Sequence, residues 1–246
     1  MLKGRTALIT GTNRGIGRAL LETFAANGAN IIAHARKETP EFIRLTENIS
    51  AQNNVTITPV YFEMTDSDAI RTALKPFVLG HSPIDVLINN AGIGHGVSFL
   101  RTPITKIKEV FEVNLFSHME ITQLVLRKMC RQKSGSIINF ASVSGIDLPA
   151  GNSAYGTSKA AMAAWTKTLA AELGSFNIRV NAIAPGLIET EMGASVKDFI
   201  EERMIASSAL KRKGKPSEIA DIAVFLASDL SSFVNGTVIR ADGGQA

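Results

Sequence analysis

One cysteine, Cys130, stands in 246 residues; that excludes an internal disulfide and fits a reducing, cytoplasmic compartment. The histidines are scattered, and no Cys/His/Asp/Glu group has metal-ligand spacing, so no metal site is expected. No apolar stretch approaches the ~18 unbroken residues of a membrane-spanning helix. The opening residues, MLKGRTALIT, run straight into an apolar strand pattern and lack a signal peptide's cleavage pattern. Charge of either sign is in small excess at most, with a net of +4. The one dense basic run is Lys211, Arg212, Lys213 and Lys215, interrupted by Gly214 and followed by Pro216. Such a run reads best as a solvated loop. Without a basic helix carrying interleaved aromatics, neither nucleic acid nor a membrane is an expected partner.

Apolar residues at 45% and charged residues at 20% describe a globular chain. Short apolar runs at 5–10, 30–34, 55–62, 84–89, 136–141, 178–184 and 237–241 read as strands. Several are continuous in Val, Ile, Leu and Ala, as strands covered on both faces are. Helical patterns lie between them at 15–27, 40–51, 66–79, 104–131, 155–175 and 216–228. The last has a start signal in Pro216-Ser217-Glu218. Strands alternating with helices imply an α/β chain, a seven-stranded parallel sheet wound on both faces. No linker, composition shift or repeat divides it, so residues 1–246 are expected to form a single domain.

The first strand leads into TGTNRGIG, residues 10–17. Gly11, Gly15 and Gly17 allow a tight turn in which backbone N–H groups and a helix N-terminus approach a pyrophosphate. After the second strand a dinucleotide site specific for NAD carries an acid, about 20 positions beyond the glycines, for the ribose 2′-OH. Here the strand ends His34-Ala35-Arg36-Lys37. The missing acid, with Arg36 and Arg14 able to clamp a phosphate, favours NADPH. Glu63, before Met64, is placed to meet an adenine amino group, and Asp66 to cap the next helix. Asn89-Asn90-Ala91-Gly92 would bring backbone close to a ribose.

The chemistry is expected between Ser142 and Lys159. Tyr155 and Lys159 lie one turn apart on one helical face. A phenol has a pKa of ~10, and an ammonium beside it favours the phenolate, easing proton exchange near neutrality. Ser142, at the end of a neighbouring strand, supplies a hydroxyl to the oxygen that gains or loses the proton. The group suits proton transfer to a carbonyl or from an alcohol.

Taken together, TGTNRGIG at 10–17, NNAG at 89–92, VNL at 113–115, SVS at 142–144, YGTSK at 155–159, PGLIETEM at 185–192 and ADGG at 241–244 resemble the short-chain dehydrogenase/reductase family. The resemblance covers almost the whole length and implies a Rossmann-type fold that binds NADP(H) through Gly11, Asn13, Arg14, Gly15, Ile16, Gly17, Arg36, Glu63, Met64, Asn90, Ala91 and Gly92. It implies Tyr155 as the acid/base, and Lys159 as the group that lowers the tyrosine pKa and holds the nicotinamide ribose. Ser142 would polarise the carbonyl and Asn114 support a water relay through Lys159. Pro185, Gly186, Ile188 and Thr190 would fix the nicotinamide, with a lid over 191–208.

Within the family the chain is similar to the 3-oxoacyl-(acyl-carrier-protein) reductases, which implies an acyl thioester substrate and acyl carrier protein as a partner. Phe176 stands where that subgroup often has a base for docking the carrier, whereas Arg127, Lys128, Arg131 and Lys133 offer the other half of a basic surface. Family members pair through helices matching 104–131 and 155–175, which implies a homo-oligomer, dimer or tetramer. The alternatives are a dehydrogenase of a small secondary alcohol, sugar or polyol, with His95 and the loop 94–99 near substrate, and a non-catalytic dinucleotide-binding regulator. The intact Tyr155 and Lys159 speak against the latter.

Overall fold

The computed structural model describes residues 1–194 and 198–245. Seven strands, β1 (Thr6–Ile9), β2 (Asn30–Ala35), β3 (Ile57–Tyr61), β4 (Val86–Asn89), β5 (Gly135–Phe140), β6 (Ile178–Pro185) and β7 (Val238–Ala241), form one sheet in the order β3-β2-β1-β4-β5-β6-β7. Every neighbouring pair is parallel. Pro59, which has no N–H to donate, falls on the edge strand β3. The expected doubly wound, single-domain architecture is present, with strand ends shifted by a residue or two.

Helices cover both faces. On one, Leu20 and Phe24 of α1 (Gly15–Ala26), Phe42 of α2 (Pro40–Asn53) and Ile219 and Val224 of α9 (Pro216–Ala227) pack on Ile9, Ile31 and Ile138. On the other, Ile70 of α3 (Ser67–Leu79), Ile121 and Val125 of α5 (Ser117–Gln132) and Leu169 of α6 (Ser153–Leu173) pack on Leu8, Leu87 and Ile137. The chain runs outward from β1 to β3, then returns to place β4 beside β1. The reversal opens a crevice at the carboxyl ends of these two strands, where doubly wound sheets bind ligands.

Helix starts follow their local chemistry. Thr39 caps α2 by accepting from Phe42 N at 3.2 Å, and Asp66 caps α3 by accepting from Ala69 N at 2.9 Å. Glu218 returns to accept from Lys215 N at 2.7 Å and so closes the first turn of α9.

One expectation needs refinement and one correction. The helical run expected at 104–131 is present but is not α-helical throughout: α4 (Ile104–Phe111) passes through a π turn, Glu112–Phe116, before α5 begins. The widened turn buries Val113, Asn114 and Leu115 in succession and gives the run an irregularity that a 3.6-residue repeat does not announce. Nor do the four basic residues near the end of α5 make one surface. Lys128 is 6% exposed, and its ammonium donates to Phe77 O at 2.7 Å and Gly80 O at 2.8 Å, capping α3. Burial, and then the nearby Arg131, lower its pKa. Arg127, Arg131 and Lys133 remain exposed.

Two buried histidines tie the strand ends together. His34 accepts from Gly11 N at Nδ1 (3.1 Å), donates from Nε2 to Phe62 O (2.9 Å) and stacks on the Phe62 ring at 3.8 Å. His118, on α5, donates from Nε2 to Ala91 O at 2.7 Å. Burial lowers their pKa values to about 4 and about 3, against a bonded carbonyl that favours the charged ring in each case. Both are therefore neutral in the fold and protonate near 6.5 once unfolded, so unfolding takes up protons in acid. This contribution is complete above pH 6.5 and is lost as pH falls toward the folded values, by at most ~1.4 kcal/mol per pH unit for each ring. His118→Gln keeps a donor for Ala91 and cannot titrate. Its urea midpoint is expected to vary less steeply between pH 6.5 and 5 than that of the parent protein; equal slopes would contradict the assignment.

Candidate active site

The crevice begins at the glycine turn. Gly11 and Gly15 have φ of +74° and +55°, in the left-handed region. A Cβ on Gly17 would lie 1.8 Å from Gly11 O, so only glycine lets the helix start this close to the strand end. The N-terminus of α1 has no side-chain cap and no acid in its first turn, unlike α2 and α3. Its free N–H groups are left for an anion. Asn13 and Arg14 are exposed beside this turn, Ile16 is half-buried and Gly17 is buried. The shape and donors fit a dinucleotide pyrophosphate.

The far wall is the end of β4. Thr10, fully buried, accepts at Oγ1 from Asn90 N (2.9 Å) and Ala91 N (3.0 Å). Asn90 Nδ2 donates back to Thr10 O at 2.8 Å. His118 holds Ala91 from below, so the backbone from Asn90 to Gly92 is pinned as a smooth surface. At the adenosine end, Glu63 Oε1 accepts from Met64 N at 3.2 Å. Arg36 lies 3.9 Å from the other Glu63 oxygen, and Arg14 is ion-paired with Glu191. Both candidate phosphate ligands thus face carboxylates that the end of β2 does not itself carry.

The candidate reactive group sits where the loop after β5 meets α6. A Cβ on Gly145 would lie 2.6 Å from Ala160 N, and one on Gly156 would lie 2.7 Å from Ser144 O. Mutual glycines therefore press Ser142–Gly145 against the helix of Tyr155 and Lys159. Lys159 is 4% exposed. Its Nζ donates to Phe140 O at 2.7 Å and lies 6.0 Å from the Tyr155 ring centroid. Burial lowers the lysine pKa to about 8.

Tyr155 is half-buried. Its phenol is pushed above its usual value by desolvation, and a hydrogen bond with Ser142 pulls the other way. The expected depression by Lys159 is not the balance here: the ammonium is turned to a carbonyl, and burial dominates the phenol.

Asn114, in the π turn, is fully buried. Its Oδ1 accepts from Ile93 N at 2.8 Å, and its Nδ2 donates to Ile93 O at 3.0 Å and Ser158 Oγ at 3.1 Å. A Cβ on Gly92 would lie 3.1 Å from Asn114 Oδ1 and 3.6 Å from Lys159 Nζ. The two side chains and the β4 end therefore converge. Both donors of the Asn114 amide are taken, and its oxygen accepts one bond from Ile93 N.

Past β6, Gly186 N donates to Ala241 O at 2.9 Å, and a Cβ there would meet Asp242 at 2.7 Å. Pro185 and Ile188 are buried. Thr190 Oγ1 accepts from Gly193 N at 3.1 Å, starting the short α7 (Glu191–Ala194). The expected lid over 191–208 corresponds to α7 and α8 (Asp198–Ser207), with 195–197 outside the described residues. Met192 faces Gly94 across the cleft, 3.5 Å from where a Cβ would stand. His95 is bonded to Thr102 Oγ1 at 3.2 Å. The described residues contain no group of three or more His, Cys, Asp or Glu able to hold a metal ion.

Sequence reasoning assigned no positioning role to Thr10, His34, His118, Gly145 or Gly156. Thr10 and Gly156 lie inside quoted motifs. The partners of the histidines are distant in sequence and leave no local signal.

The family model described as enoyl-(acyl carrier protein) reductase matches residues 11–246. A 3-oxoacyl-(acyl-carrier-protein) reductase of Thermotoga maritima is 39% identical over 99% of this chain and 98% of its own length. A crystal structure of such a reductase from Brucella melitensis superposes with a TM-score of 0.90 at 33% identity, covering 99% of this chain and 91% of that one. A structure from Agrobacterium tumefaciens, described provisionally as a gluconate dehydrogenase, superposes at 0.93 with 30% identity, covering 99% and 96%.

The Gly145 contact makes a direct prediction. In Gly145→Ala the added methyl must push the Ser142 loop off α6, costing about 1–3 kcal/mol of stability. Turnover of any carbonyl or alcohol substrate is expected to fall about tenfold or more as Ser142 and Tyr155 move apart. Unchanged kcat and unchanged thermal midpoint would show that loop and helix have room to spare.

Proposed function

The chain belongs to the short-chain dehydrogenase/reductase family, an oxidoreductase of carbonyl and hydroxyl groups, and from that premise we propose that it is an NADPH-dependent reductase of 3-oxoacyl thioesters. The observation that carries the proposal is the convergence of Tyr155, Ser142 and Lys159 at the mouth of a crevice shaped for a dinucleotide. Full-length relatives named as 3-oxoacyl-(acyl-carrier-protein) reductases support the substrate class.

Gly11, Asn13, Arg14, Gly15, Ile16 and Gly17 hold the pyrophosphate side of NADPH, with Arg14 and Arg36 on its 2′-phosphate. Glu63 and Met64 meet the adenine, Asn90 to Gly92 the ribose, and Pro185, Gly186, Ile188 and Thr190 the nicotinamide. Bound NADPH supplies the hydride. Ser142 donates to the substrate carbonyl oxygen and orients it. Tyr155 gives its phenolic proton to the same oxygen, and a phenol kept protonated by burial suits that direction. Lys159, with a pKa of about 8, passes protons in either direction near neutrality. Exposed Arg127, Arg131 and Lys133 are left to meet an acidic carrier protein, and Lys128 has no part in it. The half-exposed Phe116 beside α5 fits a homo-oligomer of the kind common in this family, working in the cytoplasm. A sugar or polyol dehydrogenase is the second reading, favoured by the likeness to the Agrobacterium structure.

NADPH oxidation with an acetoacetyl thioester tests the mechanism. Tyr155→Phe is expected to lower kcat by about 10²-fold or more, the scale of general acid catalysis, with KM little changed. Equal rates for the two proteins would remove Tyr155 as the acid, and a gluconate-type substrate outperforming every thioester would install the second reading.

A further inference from the structure

The absence of an acid at the end of β2 favours NADPH, yet Arg14 is not left waiting for a phosphate. Its guanidinium is ion-paired with Glu191, the first residue of α7, and both side chains are exposed, at 68% and 70%. The pairing follows from backbone placement. A Cβ on Gly15 would lie 3.3 Å from Thr190 Cγ2, so the glycine turn and the start of α7 touch immediately beside the two charged groups. Thr190 Oγ1 fixes the first turn of α7 through Gly193 N at 3.1 Å. A similar opposition recurs more loosely at Arg36, 3.9 Å from Glu63.

We propose that Glu191 is a specificity-determining residue: its carboxylate competes with the 2′-phosphate of NADPH for the Arg14 guanidinium and so limits the preference for NADPH over NADH. The inference rests on Arg14 being a phosphate ligand. Glu191 Oε2 takes one guanidinium nitrogen, Arg14 Nη1, and a phosphate engaging the same fork would bring a second anion against that carboxylate. NADPH then binds the fraction of molecules in which Arg14 is released, and its apparent affinity falls by that fraction. NADH has no 2′-phosphate and does not enter the contest. An exposed ion pair contributes about 0.2–1 kcal/mol, so the penalty on NADPH is roughly two- to sixfold and shrinks as salt screens the pair.

The test is equilibrium binding of NADPH and NADH, followed by cofactor fluorescence in the absence of substrate, to the parent protein, Glu191→Gln, Arg14→Ala and the double variant. Glu191→Gln is expected to tighten NADPH roughly two- to sixfold at low salt and to leave NADH within measurement error. In the Arg14→Ala background the same substitution is expected to change nothing, because no guanidinium remains to be released. Unchanged or weaker NADPH binding in Glu191→Gln overturns the proposal. So does a gain that persists without Arg14, which would make Glu191 a source of simple repulsion. Weakening of both cofactors together overturns it too, by making Glu191 a support for the nicotinamide segment. If Arg14→Ala itself leaves NADPH affinity unchanged, the phosphate-ligand reading fails, an outcome separate from all of these.

Discussion

The site depends on how closely α6 lies against the loop that leaves β5. Tyr155 and Lys159 belong to the helix, Ser142 to the loop, and the three side chains form one candidate proton-transfer group only if the two backbones nearly touch. Gly145 and Gly156 allow that approach from opposite sides. The approach also buries Lys159, whose ammonium then needs an acceptor and finds Phe140 O at the end of the same strand. One packing constraint therefore brings the hydroxyls together, fixes the lysine rotamer and shifts both pKa values.

The opposite wall is held by polar groups that take no part in chemistry. Thr10 binds the backbone of Asn90 and Ala91, His118 binds Ala91 from α5, and His34 joins the ends of β1 and β3. Each is buried and neutral or nearly fully bonded, so each fixes a backbone position without adding a charge near the cofactor crevice. The stiffness of the crevice comes from side chains beneath it, and its chemistry from side chains above.

Much of this was legible in the sequence because it is local. Apolar runs of strand length, the glycine turn after β1 and the i, i+4 pair of Tyr155 and Lys159 each announce themselves within a few residues, and their order gives the doubly wound fold. What escaped is what depends on distant partners. Lys128 reads as one of four surface bases until the end of α3 is found beneath it. His34 and His118 look like any histidine in an apolar stretch. Arg14 reads as a free phosphate ligand until Glu191, 177 positions away, comes to lie beside it. The upward shift of the Tyr155 phenol has no local signal either, since desolvation is a property of the assembled site and not of the pair.

The π turn at Glu112–Phe116 carries a consequence for how this chain can change length. A π turn takes up one residue more than an α turn and lets the helix that follows keep its phase, where each added α-helical residue would turn the face by about 100°. The buried stripe of α5, from His118 through Ile121 and Val125 to Met129, therefore stays in phase with the sheet while Asn114 sits in the wide turn against Ile93. Removing one residue of the turn would close it to ordinary α-helix and leave that stripe in place, changing only where Asn114 points. Removing one residue from α5 itself, where no wide turn takes up the difference, would swing the rest of the stripe by about 100° toward solvent. The turn is a stretch where this helical run can change length by one residue with the core behind it left in register.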